Sequence, residues 1–336
     1  MPLISPNALL HAHLKQNPPK RPSNRAPSEP RPVQLNVGSL AHCNGSSLIK
    51  IGATTIVCGV RAEILPVSEI PNFRVTKTSS SYTPSASAVQ DGHFQDKGQE
   101  EEYSAIRLYN LVVPNIELGT GCSPKHPANA PPSVEAQSIS QRLLSTMYSS
   151  KLVRTTDLEI LYTPPTETQD IELGITGDPQ LKAYWTLYID MMCISHGGSI
   201  FDAAWLAMHA ALKDVKLPKA WWDPDWERIL CSADIGDALS SSFGVFLPEE
   251  RLLNANDTDD EHWILMDMDS FEEEACEETG AVIVDASGKG KALSIVRIEK
   301  NGGSAINVEH LTKIVGFAER RWNQWKDVLD STLVDT

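Results

Sequence analysis

Two short runs rich in β-branched residues, Leu48-Ile49-Lys50-Ile51 and Thr55-Ile56-Val57-Cys58-Gly59-Val60, are separated only by Gly52-Ala53-Thr54. Val, Ile and Thr lose rotamer freedom in a helix and pack well on a pleated surface, so each run reads as a strand. So short a connection turns the second strand back alongside the first, which makes the segment an antiparallel hairpin. The second run is apolar at consecutive positions, so it is expected to be buried on both faces. A strand covered on both sides needs further layers, and the rest of the chain must supply them.

Upstream, residues 5–16 have the spacing of a short amphipathic helix. Residues 17–32 carry six prolines with several Arg and Lys and read as an extended basic arm. A strand over 33–39 precedes the hairpin, whose second strand continues to Leu65. Residues 76–102 are rich in Ser, Gln and Glu with almost no apolar content, the composition of a mobile loop or insertion. Order resumes in "YSAIRLYNLVVPNIELGTG" and reaches a Pro-rich turn, "SPKHPANAPP". Pro131-Pro132-Ser133 then opens a helix whose apolar face includes Ile139, Leu143, Leu144 and Met147. "DLEILYT" and "KAYWTLYIDMMCIS" read as strands, and "GGSIFDAAWLAMHAALKDV" as an Ala-rich helix entered from a Gly-Gly turn. The second half repeats this grammar with strands at "SFGVFL", "WILMDM", "GAVIVDAS" and "ALSIVRIEK". A closing amphipathic helix runs from Val308 to about Leu329. Strands clustered with a few helices in each half predict an α+β protein of two related layers.

Charge and cysteine usage narrow the function. A net charge of −15 argues against a chain that grips nucleic acid over its whole surface, while leaving room for a local basic patch. The six cysteines include no CxxC pair, so a zinc ribbon or redox motif is not supported, and buried reduced thiols of a cytosolic or nuclear chain are expected. The longest apolar-rich stretch, 183–195, contains Asp190 and is too short to span a bilayer, so a soluble chain without a membrane segment is expected. Neither GxxxxGK[ST] nor GxGxxG occurs, and His196 and His209 have no fixed Ser or Cys partner for a hydrolase triad.

Four features remain as chemical candidates. The acidic run Asp267, Asp269, Glu272, Glu273 and Glu274 reads either as a solvated turn or as a holder of a divalent cation. Gly197-Gly198-Ser199 ahead of a helix reads either as a tight turn or as a seat for an anion. Lys125, His126 and Arg142 read as surface charge or as contacts to a phosphate backbone. Trp221, Trp222 and Trp226 beside Pro224 read as a packed loop or as a stacking platform for bases.

Taken in order, "GSLAHCNGSSLIKIGATTIVCGVRAEI", "VPNIELGTGC", "EAQSISQRLLSTMYSSKLV", "YWTLYIDMMCISHGGSIFDAAWLAMHAALKDVKLP" and "SSSFGVFL" resemble the ribonuclease PH-like proteins, in particular the subunits of the eukaryotic RNA exosome ring. "RPSNR", Arg21 to Arg25, stands where many members have Arg-Pro-Asp-Gly-Arg. The resemblance covers roughly 33–75, 103–217 and 240–329, and leaves out the 76–102 loop and the Trp-rich 220–230 segment. It implies an α+β ribonuclease PH-like fold of two stacked βαβα-type layers. The implied units are an N-terminal helix and arm (1–32), a first domain (33–217) and a second domain with a C-terminal helix (218–336).

It further implies a hetero-hexameric ring of ribonuclease PH-like subunits around an RNA channel, S1/KH-type cap subunits, an associated hydrolytic exoribonuclease, and no cofactor or metal. The implied location is nucleus, nucleolus and cytoplasm. Active members let inorganic phosphate attack the 3′-terminal phosphodiester of RNA, using a Gly-Gly-Thr-Arg turn and two carboxylates six residues apart. Two anions must approach each other there, so the pocket must supply positive charge. In this chain the turn reads Gly197-Gly198-Ser199-Ile200, with Ile200 at the arginine position, while Asp267 and Glu273 keep the carboxylate spacing. Acids without their cation repel phosphate, which implies a degenerate site in a scaffold subunit. The other readings are a phosphate-dependent exoribonuclease whose arginine, Arg142 or a neighbour's, comes from elsewhere, and a free-standing protein-interaction module of the same fold.

Overall fold

The computed structural model describes residues 6–71, 73, 105–119, 121–123, 125–126, 133–162, 180–217, 238–246, 263–276, 278–285, 293–302 and 308–334. The 76–102 loop, the Trp-rich 220–230 segment and Pro131-Pro132 lie outside the described residues. The hairpin forms as expected: β2 (Gly45–Ile51) and β3 (Thr54–Pro66) pair antiparallel from Ile51↔Thr54 to Gly45↔Val60. Strand β1 (Val33–Val37) extends it on the β2 side. On the β3 side lies β6 (Gln180–Ser195), long enough to take two partners along its far edge. These are β4 (Val112–Leu118), the single parallel neighbour, and β5 (Glu159–Tyr162). The result is a mixed six-stranded sheet of order β1-β2-β3-β6-β4 with β5 beside β6.

Two sequence expectations are corrected here. Along β3, Ile56, Cys58 and Val60 are fully buried, but Thr55 and Val57 on the other face are only half-buried, so the strand is covered mainly on one side. "DLEILYT" begins inside a helical turn over 155–158 and becomes strand only at Glu159.

Helix α2 (Val134–Ser150) starts where Ser133 accepts a bond from the Ala136 N–H at 3.1 Å, as its position before an apolar-periodic run predicts. Ile139, Leu143 and Met147 face the core, and Leu144 packs at its margin. Helix α3 is the turn Thr155–Leu158. Helix α4 (Ile200–Lys213) is buried at every residue from Ile200 to Leu212. A helix buried on all sides belongs between layers, and α4 lies between β2 and β3 of the first sheet and β7 of the second.

The second sheet holds β7 (Leu239–Phe246), β8 (Trp263–Met266), β9 (Glu278–Asp285) and β10 (Ser294–Asn301) in antiparallel order β10-β9-β7-β8. The short helix α5 (Ser270–Ala275) joins β8 to β9, and α6 (Val308–Val334) closes the chain beyond the expected Leu329. Ile314, Ala318, Trp322, Trp325 and Leu329 of α6 join one continuous core with residues of both sheets. No described helix is long and apolar enough to cross a membrane.

The N-terminal arm differs most from its sequence reading. The helix forms as α1 (Pro6–Leu14), and Leu10 and Leu14 are buried with Phe246, Leu265 and Met268 of the second layer. The arm after it is irregular and largely exposed but anchored at points: the Met266 N–H donates to the Pro27 carbonyl at 3.1 Å, and the Arg21 and Arg31 side chains are buried. Arg21 pairs with Glu272 at 3.0 Å and donates to the Pro27 and Met266 carbonyls. Arg31 pairs with Asp267 at 2.6 Å, and Arg321 of α6 reaches the same carboxylate at 3.2 Å. The Arg21, Arg25 and Arg31 charges of the extended basic arm are therefore internal counter-charge for the acidic run.

Two outcomes follow from this packing. Leu10→Ala should destabilise the chain by about 2–5 kcal/mol in urea unfolding, the range for truncating a buried leucine, whereas a dispensable arm would give no change. Arg31→Met should cost about 3 kcal/mol, the low end for breaking a buried pair, because Arg321 still faces Asp267. Burial alone would raise the Asp267 carboxyl, but Arg321 and Arg31 outweigh it and hold the group well below the usual carboxylate range. The stability it contributes is present above its unfolded-state value and lost as pH falls through the folded one. Removing Arg31 should therefore move acid unfolding to higher pH, as followed by circular dichroism.

Candidate functional site

The Gly197-Gly198-Ser199 turn arrives at the seam between the layers because β6 ends at Ser195 and α4 begins at Ile200. Gly198 has φ +94°, and a Cβ there would come within 2.5 Å of the Asp269 backbone, so only glycine fits against α5. Ser199 is itself left-handed at φ +51°. The turn borders a cleft of about 280 Å³ whose walls include Glu135, Arg142, His196, Ser199, Ile200, Ser242, Glu273 and Asn301.

Of the predicted site residues, Ser199, Ile200 and Glu273 meet in this cleft, and Asp267 does not line it. The Ser199 N–H donates to Glu273 Oε1 at 2.6 Å. Its hydroxyl lies 2.7 Å from the Ser242 hydroxyl and donates to Asp202 at 3.2 Å. Burial pushes the Glu273 carboxyl up, against the pull of the Ser199 N–H. Ile200 is 5% exposed and belongs to the core as the first residue of α4. Asp267 stands behind the turn at φ +50°, accepting from the Arg31 N–H at 2.7 Å and from its guanidinium.

The acids of the 267–274 run do not converge on one point. Asp267 serves Arg31 and Arg321, and Asp269 with Glu272 forms a capping box at the start of α5. Glu272 also holds Arg21 and Arg25, Glu273 holds the Ser199 N–H, and Glu274 pairs with Lys125 at 2.7 Å. The expectation that Asp267 and Glu273 stand without a cation is corrected for Asp267 only. Asp267 has two arginines, while Glu273 is bound to a main-chain donor.

The three basic candidates are likewise placed beside carboxylates. Lys125 is exposed and paired with Glu274. His126 lies 3.6 Å from Glu135, whose other oxygen is 3.6 Å from His196, and His196 foremost holds the Glu135 carboxyl below its ordinary value. Arg142 lines the cleft, stacks 4.2 Å over the Phe201 ring and donates from Nε to Glu299 at 2.9 Å. Sequence reasoning passed over Glu135, Ser242, Asn301, Arg31 and Arg321. Only the serine run 240–242 carries a local signal, since a strand with three consecutive hydroxyls implies internal acceptors, and Asp202 is that acceptor for Ser240 and the Ser242 N–H.

Comparison with known proteins places these features in a family. Residues 29–218 match RNase_PH, the 3′ exoribonuclease family, domain 1. The exosome complex component rrp43 of Schizosaccharomyces pombe is 30% identical over 320 residues, which cover 95% of this chain and 93% of that protein. The exosome complex component Rrp42 of Aeropyrum pernix is 24% identical over 89% of this chain and 84% of its own length. A chain of the Archaeoglobus fulgidus exosome with RNA bound to the active site shares the fold at a TM-score of 0.60, with 16% identity and 96% coverage of both chains. Two layers joined by a buried helix, a Gly-Gly turn at their seam and a relative matched nearly end to end converge on one assignment: the chain belongs to the RNase PH family of 3′ exoribonucleases.

Proposed function

We propose that this chain is a non-catalytic structural subunit of an RNA exosome ring, supporting 3′-to-5′ RNA processing and turnover, ribosomal RNA maturation included. In this reading it sits among other ribonuclease PH-like subunits in a hetero-hexamer, beneath S1/KH-type caps. It lines the route by which RNA reaches an associated hydrolytic exoribonuclease, in nucleus, nucleolus and cytoplasm. The carrying observation is that Ile200, a buried apolar residue, stands where the resemblance places the phosphate-binding arginine. Ser199 then offers neutral donors only, worth about 0.5–1.5 kcal/mol each, against about 1.5–3 for a bond to a charged group. Both named relatives are exosome components, and the alignments run over most of their lengths.

A phosphate-dependent exoribonuclease is the second reading, and the presence of Arg142 in the cleft favours it. The two separate in one assay with 3′-tailed RNA and inorganic phosphate, using the chain alone and in its ring. The scaffold reading expects no nucleoside diphosphate from this subunit. Diphosphate release that disappears in Arg142→Ala, with assembly intact, would overturn it. Arg142 is the better test residue than Asp267, whose removal would strip two buried arginines of their partner.

RNA contact is a separate matter. Replacing Lys125 and Arg142 by Glu should weaken RNA protection by the assembled ring. It should also flatten the salt dependence by roughly 0.7 log unit per log unit of salt for each phosphate that is no longer neutralised, the single-strand value. Unchanged protection and slope would make both residues ordinary surface.

A further inference from the structure

The turn at the seam is saturated from within. Each of its main-chain polar atoms has a partner inside the chain. The Gly197 N–H donates to the Thr54 hydroxyl at 3.1 Å, and the Gly197 carbonyl accepts from Arg31 at 2.7 Å. The Gly198 N–H donates to His196 Nδ1 at 3.3 Å, and the Gly198 carbonyl accepts from Thr54 and Arg31. The Ser199 carbonyl accepts from the Ala203 N–H at 3.2 Å, and the Ser199 N–H carries the 2.6 Å bond to Glu273. Of these partners only Glu273 brings a negative group to the cleft side of the turn.

Glu273 holds that place because α5 is held. The helix is six residues long, too short to persist by its own hydrogen bonds. Its Glu272 Oε2 accepts from the Asp269 N–H at 3.0 Å, closing the capping box, and from Arg21 at 3.0 Å and Arg25 at 3.5 Å. Arg21 and Arg25 are the two arginines of "RPSNR", a motif for which the cleft itself gives no use. The arm thus fixes the residue immediately before Glu273 from a segment that does not line the cleft.

We propose that Glu273 is an internal anionic plug of the Gly197-Gly198-Ser199 turn, positioned by Arg21 and Arg25 through Glu272, and that it keeps oxyanions out of the cleft. The inference rests on the non-catalytic reading and adds a cause to it. Beyond the missing arginine, the main-chain donor facing the cleft is occupied by the chain's own carboxylate. Arg21 and Arg25 are positioning residues, touching the plug only through its neighbour.

The test is amide hydrogen exchange at Ser199 in the full chain, paired with titration of inorganic phosphate followed by 31P line broadening. The wild type should show slow exchange at Ser199 and no saturable broadening. Glu273→Ala should speed exchange at Ser199 roughly tenfold or more, as expected for losing a bond to a charged group, and should make broadening saturable. Arg25→Ala should speed exchange at Ser199 while leaving Ile283 in the centre of β9 unchanged, and Arg25→Lys should restore part of the protection. Glu273→Gln keeps the shape and an accepting oxygen but not the charge, so its exchange should fall between wild type and Glu273→Ala, and it controls for misfolding. Wild-type phosphate binding, or unaltered exchange and broadening in Glu273→Ala, overturns the plug. Equal acceleration at Ser199 and Ile283 in Arg25→Ala reduces the arm to a general stabiliser and overturns the positioning role. Diphosphate release from RNA by the wild type would instead sink the non-catalytic reading, and the exchange data would still decide the plug.

Discussion

The contact between Arg31 and Asp267 is the point on which the two layers depend. Arg31 lies in the arm, Asp267 just past the end of β8, and the Gly197 and Gly198 carbonyls that Arg31 also binds lie at the end of the first sheet. Taking two charges out of water costs several kcal/mol per ion unless the geometry is close and the remaining donors are used. Here they are used: the Arg31 guanidinium binds both carboxylate oxygens and both carbonyls, and its own N–H adds a further bond to Asp267. The hairpin turn makes room for the arrangement, since a Cβ on Gly52 would sit 2.6 Å from the Arg31 stem. A glycine that reads locally as a hairpin turn is thus also a packing requirement of the arm.

From that contact the character of position 200 follows. Helix α4 is buried on every side between the sheets, its one buried carboxylate, Asp202, is taken up by Ser199, Ser240 and Ser242, and Ile200 is its first residue. An arginine there would have to turn its charge to the cleft or find a buried carboxylate. The carboxylates bonded to the turn are already committed, Glu273 to the Ser199 N–H and Asp202 to the serines at 199, 240 and 242. A buried, apolar Ile200 and a Ser199 N–H bound to Glu273 are therefore consistent features of one packing solution. Each removes a reason for the other to change.

The elements were legible wherever burial followed a period. The hairpin, α2, α4, the four strands of the second sheet and α6 all follow from apolar spacing and punctuation by Gly, Pro and Ser, and the family resemblance rests on the same stretches. What could not be read was long-range pairing of charge. Arg21, Arg25 and Arg31 sit in a Pro-rich segment whose composition is that of an extended basic arm, and their partners lie more than two hundred residues away. Nothing local distinguishes Arg31, with its buried partner, from Lys20, which pairs at the surface with Asn24. Glu135 was hidden for a related reason. An acidic residue in the first turn of a helix already has a sufficient local explanation in the helix dipole.

The same pairing governs what the surface can offer to RNA. Salt-dependent affinity for a polyphosphate comes from cations that release counterions when they meet phosphate, and a cation already matched by a carboxylate releases fewer. Lys125 faces Glu274, His126 faces Glu135, and Arg142 and Arg297 share Glu299. With a net charge of −15, the chain's long-range field opposes RNA rather than drawing it in. A ring wall of the proposed kind would guide a strand by shape and short-range contacts, with most of the attraction supplied by other subunits. Paired charges at its surface suit that task, because they present polar groups without adding a strong pull that would hold the strand in place.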